Sequence, residues 1–213
     1  MKNISREKLP YTVIIANGVF PTHPYPLSYI ENASNIVCLD GALRACLDNN
    51  INPDTIVGDG DSISITLREE YDDIFHVFTD QETNDLTKAV TFCVKNDLKE
   101  IKIVAATGKR EDHTMGNISL LLEYMRECTV KMITDYGIFT PISTTTEFES
   151  AVGQQVSIFN LDQIPISSHN LKFPLNDTIL DNLWKGTLNE SLDETFTIET
   201  DGPTIVYRTF EVR

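Results

Sequence analysis

Two carboxylates one residue apart stand directly after a short apolar run: Gly58-Asp59-Gly60-Asp61-Ser62 follows Thr55-Ile56-Val57. At a separation of ~5 Å and an effective dielectric near 20, such charges repel by about 3 kcal/mol. A divalent cation or a shared proton offsets a repulsion of that kind. A plain solvated turn, which Gly and Asp also build, leaves it to water. Further aspartates extend the pattern. The run Ile36 to Leu39 ends in Asp40-Gly41, and Ile74 to Phe78 is followed by Asp80-Gln81 with Asp85 beyond. Ile101 to Ala105 leads into Gly108-Lys109-Arg110-Glu111-Asp112-His113.

If these runs are strands of one open α/β sheet, each delivers an aspartate to the carboxyl edge, where ligands of such sheets bind. The chemistry suggested is that of phosphate. Mg²⁺ takes one or two carboxylates plus phosphate oxygens, and Arg110 with Lys109 supplies charge for polyphosphate. The sequence contains no GxxxxGK[ST] loop, no GxGxxG after a strand and no GxSxG elbow, so P-loop, dinucleotide and conventional serine-hydrolase chemistry are unsupported.

Blander readings stand beside each residue. Asp40 is equally a helix N-cap, Asp85 a partner of its helix dipole, and Arg110 with Asp112 a surface ion pair of little worth. His113 reads as the start of a helix. His23, His76, His169 and Trp184 read as structural.

The elements that must position these residues are legible as periodicity. Strand patterns cover Tyr11 to Ala16, Ile36 to Leu39, Thr55 to Val57, Ile74 to Phe78, Ile101 to Ala105 and Thr129 to Thr134. A helix is expected from about Ser62 towards Tyr71. Another spans Asn84 to Asp97, with Leu86, Ala89, Val90, Cys93 and Val94 on one face. A third, His113 to Glu127, is expected to bury Met115, Ile118, Leu121, Leu122 and Met125. This alternation predicts a largely parallel Rossmann-like sheet with helices on both faces. After about Tyr136 short β-rich runs take over, at Gln155 to Phe159, Thr195 to Thr200 and Thr204 to Phe210, with turn signals between them. Two domains are expected: an α/β catalytic domain over 1–136 and an all-β sandwich over 137–213.

The 213 residues are 41% hydrophobic and 23% charged, with a formal net charge of −15. That acidity argues against a nucleic-acid partner, which needs a basic face. An anionic substrate would need a local island of cations or metal. No apolar run reaches membrane-spanning length, and Met1 to Pro10 lacks the apolar stretch of a secretory signal. Cys38, Cys46, Cys93 and Cys128 form no CxxC pair and read as small core residues in a reducing, cytoplasmic setting.

With the motifs assembled, the chain resembles the thiamine pyrophosphokinase family over nearly its whole length. The matching segments run in family order: Ala16-Asn17-Gly18, Cys38-Leu39-Asp40-Gly41-Ala42, Val57 to Ile63, and Asp80-Gln81-Glu82-Thr83-Asn84-Asp85-Leu86-Thr87-Lys88-Ala89. Gly108 to His113 with Asn117 follows, then Leu171-Lys172-Phe173-Pro174-Leu175 and Gly186-Thr187-Leu188-Asn189-Glu190. The resemblance implies a homodimer with active sites between subunits, and the reaction ATP plus thiamine giving AMP plus thiamine diphosphate. It implies that Asp59, Asp61, Asp80 and Asp85 hold Mg²⁺ and the triphosphate. Asn17, Asp40, Gly41, Gln81, Lys109, Arg110, His113 and Asn117 would contact ATP. Arg110 would stabilise charge in flight, and Asp112 would orient or accept the hydroxyl proton. Phe173 would stack on thiamine, beside Leu188 and with a hydrogen bond from Asn189.

The chain departs from the family pattern at Ala42 (usually Gly), Arg44 (near a usual Asn), Asn84 (usually Thr), Leu188 (usually Ser) and Gly60 (often bulkier). These departures bear mostly on the acceptor, so pyrophosphoryl transfer to another heterocyclic alcohol such as a hydroxymethyl pterin stays open. Separate readings are a DxD phosphohydrolase, weakened by Gly58 before the first Asp, and a non-catalytic nucleotide or metabolite sensor.

Overall fold

Short apolar strands separated by helical segments cannot pair as hairpins, and here they pair in parallel. A computed structural model describes residues 8–78 and 82–212. The chain divides into two compact units, Met1–Leu120 with Glu127–Asp135, and Leu121–Arg126 with Tyr136–Arg213. From the N-terminus run β1 (Leu9–Ile15), α1 (Pro24–Asn32), β2 (Ala33–Leu39), α2 (Leu43–Asp48), β3 (Thr55–Gly58), α3 (Ile65–Glu70) and β4 (Phe75–Val77). Then come α4 (Asp85–Lys95), β5 (Glu100–Val104), α5 (Glu111–Tyr124) and β6 (Thr129–Ile133).

The first unit's strands lie in the order β6-β5-β1-β2-β3-β4, and each of these pairings is parallel. Val13, Ile14, Ile15, Ile56, Val57, Ile101 and Ile103 are fully buried, as expected of parallel strands covered on both faces. α4 packs on β1, β2 and β3 through Leu86, Ala89, Val90 and Cys93, all buried. The strand order reverses at β1: the chain moves outward through β2, β3 and β4, then returns to the other side of β1 as β5. Such a switch point is where open α/β sheets carry their ligand crevice. The backbones following β1 and β5 stay joined beyond it, with Gly18 N donating to Ala105 O (2.5 Å) and Val19 N to Thr107 O (2.8 Å).

Two helices differ from their sequence expectation. α3 begins at Ile65, because Ser64 is the N-cap and accepts from Leu67 N, so Asp61 and Ser62 belong to the turn and not to the helix. α5 begins at Glu111 and ends at Tyr124, and Met115 is 64% exposed. Met115 shares a helix face with Ser119 and Glu123, which are also exposed, whereas Leu121, Leu122 and Tyr124 form the buried side.

The second unit holds β7 (Gly137–Ile142), β8 (Thr146–Glu149), β9 (Gln154–Asn160), β10 (Pro165–His169), β11 (Thr178–Ile179), β12 (Asn189–Glu190), β13 (Thr195–Glu199) and β14 (Thr204–Val212). One antiparallel layer is β12-β9-β14-β7 and the other β11-β10-β13-β8. Ile142, Val156, Ile158 and Val206 from the first layer meet Phe148, Ile166, Phe196 and Ile198 from the second in one core. The Phe148 and Phe196 rings stack at 5.1 Å. This is a sandwich. β7, β8, β10, β11 and β12 had no sequence expectation: Pro141 and Pro165 lie in two of them, and proline in a run weakens a strand reading. Among the described residues no helix is long and apolar enough to cross a membrane.

Asp135, just past β6, fixes the segment before α1: its carboxylate accepts from Thr22 N (3.0 Å), Thr22 Oγ1 (2.7 Å) and His23 N (3.2 Å). Burial pushes its pKa up, but the Thr22 hydroxyl and the two amides prevail and hold it below the usual carboxylate range. A depressed folded pKa stabilises the fold above the unfolded pKa, and that contribution is lost as pH falls through the folded value. Asp135→Asn is therefore expected to lower stability at pH 7, as measured by urea unfolding. The difference from the parent protein should shrink towards the acid end of the carboxylate range. An equal deficit at both pH values would show that the carboxylate charge contributes nothing.

Candidate active site

The turn after β3 is shaped by contacts that leave no room for side chains. A Cβ on Gly58 would lie 2.3 Å from Cγ of Asp40, and Gly60 sits at φ +87°, a conformation that L side chains rarely adopt. Asp40 is 2% exposed. Its Oδ1 accepts from Gly41 N (2.6 Å) and its Oδ2 from Gly60 N (3.0 Å). Burial raises its pKa, the Gly60 and Gly41 amides pull it back, and the charges of Asp85 and Asp59 raise it again. Asp40 is thus a buried fastener across two strand ends, holding the carboxylate turn in place; it is not an N-cap. Within the turn, Asp61 N donates to Asp59 Oδ1 (3.1 Å).

Over this edge opens a cavity of about 530 Å³, lined by residues from the ends of β1, β2 and β5, the turn after β3, and the starts of α4 and α5. Of the residues expected from sequence, Asn17, Asp59, Asp85, Lys109, Arg110, His113 and Asn117 line it. Asp40, Gly41, Asp61 and Asp112 are not in its wall. Asp80 and Gln81 lie outside the described residues. Several lining groups are held by neighbours: Lys109 Nζ donates to Asn17 Oδ1 (2.8 Å) and Asn117 Nδ2 to Ala106 O (2.9 Å). Arg110 and Asp112 pair through two bonds of 3.1 and 2.6 Å at the surface. The hydrogen bond from Arg110 holds Asp112 below the usual carboxylate range, and Asp112 in turn raises the Arg110 pKa.

Lys88 was not singled out from the sequence as a site residue. It is 4% exposed on α4, with its ammonium 2.9 Å from Asp85 Oδ1 and 3.8 Å from Asp59 Oδ2. The signal was available: a Lys three residues after Asp85 on a helix shares its face. Asn84 caps α4 by accepting from Thr87 N (2.8 Å), which an Asn does as well as a Thr. Ala42 adopts φ −97° and ψ −12°, so nothing there demands a second glycine.

One buried ammonium, that of Lys88, thus faces two carboxylates, Asp59 and Asp85. Their hard oxygen donors suit Mg²⁺, which keeps several waters and does not need a closed protein cage. Among the described residues no three His, Cys, Asp or Glu side chains lie close enough to form such a cage. Asp59 and Asp85 therefore fit a Mg²⁺ ion that completes its shell with water and phosphate oxygens.

In the second unit, Asn189 is buried and its amide engages both backbone groups of Phe173: Oδ1 accepts from Phe173 N (3.0 Å) and Nδ2 donates to Phe173 O (2.7 Å). Phe173 is 60% exposed, and so are Leu188 and Trp184, each at 68%. Leu188 adopts φ +62°, a left-handed conformation costing a non-glycine residue roughly 1–2 kcal/mol.

Residues 27–133 match the model of the thiamin pyrophosphokinase catalytic domain, and residues 137–207 that of the thiamin pyrophosphokinase substrate-binding domain. The chain belongs to the thiamin pyrophosphokinase family. It is 30% identical to thiamine pyrophosphokinase 1 of rice over 154 aligned positions, covering 61% of this chain and 58% of that relative. It is 24% identical to thiamine pyrophosphokinase 2 of Arabidopsis thaliana, covering 90% of this chain and 83% of the relative. The match thus spans less than two thirds of the rice protein's length. Among solved structures, thiamine pyrophosphokinase from Bacillus subtilis superposes with a TM-score of 0.77 at 22% identity, covering 95% of this chain and all of that one. The yeast thiamin pyrophosphokinase gives 0.76 at 15% identity, covering 97% and 87%. At such identities these likenesses show a shared fold. As a member of the thiamin pyrophosphokinase family, the chain carries an α/β unit with its sheet flanked by helices, followed by a separate β-rich unit.

If Lys88 neutralises Asp59 and Asp85, Lys88→Met leaves their repulsion uncompensated. A stability loss of about 1–3 kcal/mol is expected, with a larger Mg²⁺-induced rise in melting temperature than the parent protein shows. Thermal unfolding with and without Mg²⁺ reads both; a variant as stable as the parent contradicts the assignment.

Proposed function

We propose that this chain is a Mg²⁺-dependent thiamine pyrophosphokinase, transferring the pyrophosphoryl group of ATP to the hydroxyl of thiamine and releasing AMP. The observation that carries the reading is the cavity at the sheet's switch point, whose wall combines Asp59 and Asp85 with Lys109, Arg110 and His113, in a chain of this family. Cations beside carboxylates are what a polyphosphate and its metal require together, and an overall charge of −15 makes such a local island necessary.

In this reading Asp59, Asp61, Asp80 and Asp85 hold the metal, which when bound would neutralise phosphate oxygens. Asp40 with Gly41 keeps the turn in place, while Asn17, Gln81, Lys109, His113 and Asn117 seat the nucleotide. Arg110 leaves Asp112 to meet the negative charge on the transferred group, and Asp112 is then free to orient the attacking hydroxyl. The rate comes from alignment and preorganised charge, with no covalent intermediate on the protein. Phe173 presents an exposed ring for the acceptor, and Asn189 fixes the backbone that carries it. Leu188 offers an apolar contact where relatives usually have Ser. The protein works as a homodimer with active sites at the subunit interface, in the cytoplasm; its four cysteines are buried and outside any disulfide, as suits a reducing compartment.

AMP release from Mg-ATP should depend on added thiamine. Release that ignores thiamine but follows a hydroxymethyl pterin would move the acceptor assignment, and phosphate release without any acceptor would favour hydrolysis. Arg110→Ala is expected to lower kcat by about a hundredfold or more. Phe173→Ala should chiefly raise the KM for thiamine; equal losses in kcat and KM would argue against a simple binding role for the ring.

A further inference from the structure

We propose that Arg68 is a positioning residue of the carboxylate turn: its guanidinium takes the place of the side chain that position 60 lacks and holds Asp59-Gly60-Asp61 in its cation-binding shape. The inference rests on reading that turn as part of the metal and polyphosphate site. A Cβ built on Gly60 would lie 2.8 Å from Nη1 of Arg68, 3.3 Å from its Cζ and 3.7 Å from its Nε. The guanidinium therefore rests against the α-carbon at the middle of the turn. Its Cζ also lies 5.5 Å from the centroid of the Phe75 ring, within cation–π range.

Both supports of the guanidinium are themselves fixed. Phe75 begins β4 and is paired with Ile56, while Gly58 pairs with Val77. Arg68 is seated one turn into α3 by its N–H on Ser64 O (2.9 Å), and Ser64 caps that helix. Gly60 is thus held at its amide by Asp40 and at its α-carbon by Arg68.

A glycine between two repelling carboxylates needs such a clamp. Ordering one backbone residue costs roughly 1–2 kcal/mol, and glycine has the most freedom to lose. Without Arg68 the turn samples other shapes, and cation affinity falls in proportion to the competent fraction. Removing a positive charge works in the opposite direction. However, Arg68 is exposed, and among the described residues it makes no ion pair. Its charge is screened by water and salt, so the loss of order prevails. A side chain at position 60 and the guanidinium of Arg68 would compete for one space.

The test is Mn²⁺ binding, followed by electron paramagnetic resonance of the free ion, with the inert analogue α,β-methylene-ATP present. Arg68→Ala and Arg68→Lys are each expected to weaken Mn²⁺ binding about tenfold, because lysine keeps the charge but not the planar group. Gly60→Ala should cost more affinity in the parent protein than on the Arg68→Ala background, where its clash partner is gone. Unchanged or tighter binding by Arg68→Ala, parental binding by Arg68→Lys, or an equal cost of Gly60→Ala on both backgrounds each overturns the clamp while leaving the functional reading intact. A parent protein that binds no Mn²⁺ overturns both.

Discussion

Like charges held close together are the constraint on which this chain's first unit is organised. Asp40, Asp59 and Asp85 crowd the carboxyl edge of one sheet, and two devices manage them. Asp40 is buried against two backbone amides. Asp59 and Asp85 share the buried ammonium of Lys88. Each device lowers the cost of assembling negative charge at this edge. The parallel sheet makes this possible, because its carboxyl ends place loops from consecutive strands side by side.

The second unit solves a different problem. An exposed ring gains little from burial, so its backbone has to be held by other means. Asn189 does this with one amide, accepting from Phe173 N and donating to Phe173 O. The side chain expected to hydrogen-bond the acceptor is committed to the scaffold beneath the aromatic residue. Leu188, next to Asn189 in sequence, is exposed and held at positive φ.

Much of the fold was legible because buried parallel strands read as continuous apolar runs and helices as a period of 3.6. The carboxyl-edge aspartates were legible for the same reason: their place follows from where the strands end. What was not legible depends on contacts between residues far apart in sequence. Nothing in Cys38-Leu39-Asp40-Gly41 announces that Asp40 reaches Gly60. Nothing in Gly58-Asp59-Gly60 announces that Arg68 fills the space beside the second glycine. The exposure of Met115 was missed because an apolar residue in an amphipathic helix was assigned inward by type, when its partners at helical spacing, Ser119 and Glu123, face out. The short strands of the second unit escaped because prolines and polar residues broke their alternation.

The central claim is that the carboxylate edge presents ATP for attack at its β-phosphorus. Tracing ATP labelled separately in its α- and γ-phosphates, with thiamine and Mg²⁺ present, tests it most directly. The account predicts that the γ-label enters the thiamine product while the α-label leaves as AMP. A γ-label released as inorganic phosphate, or an α-label recovered as ADP, would contradict it.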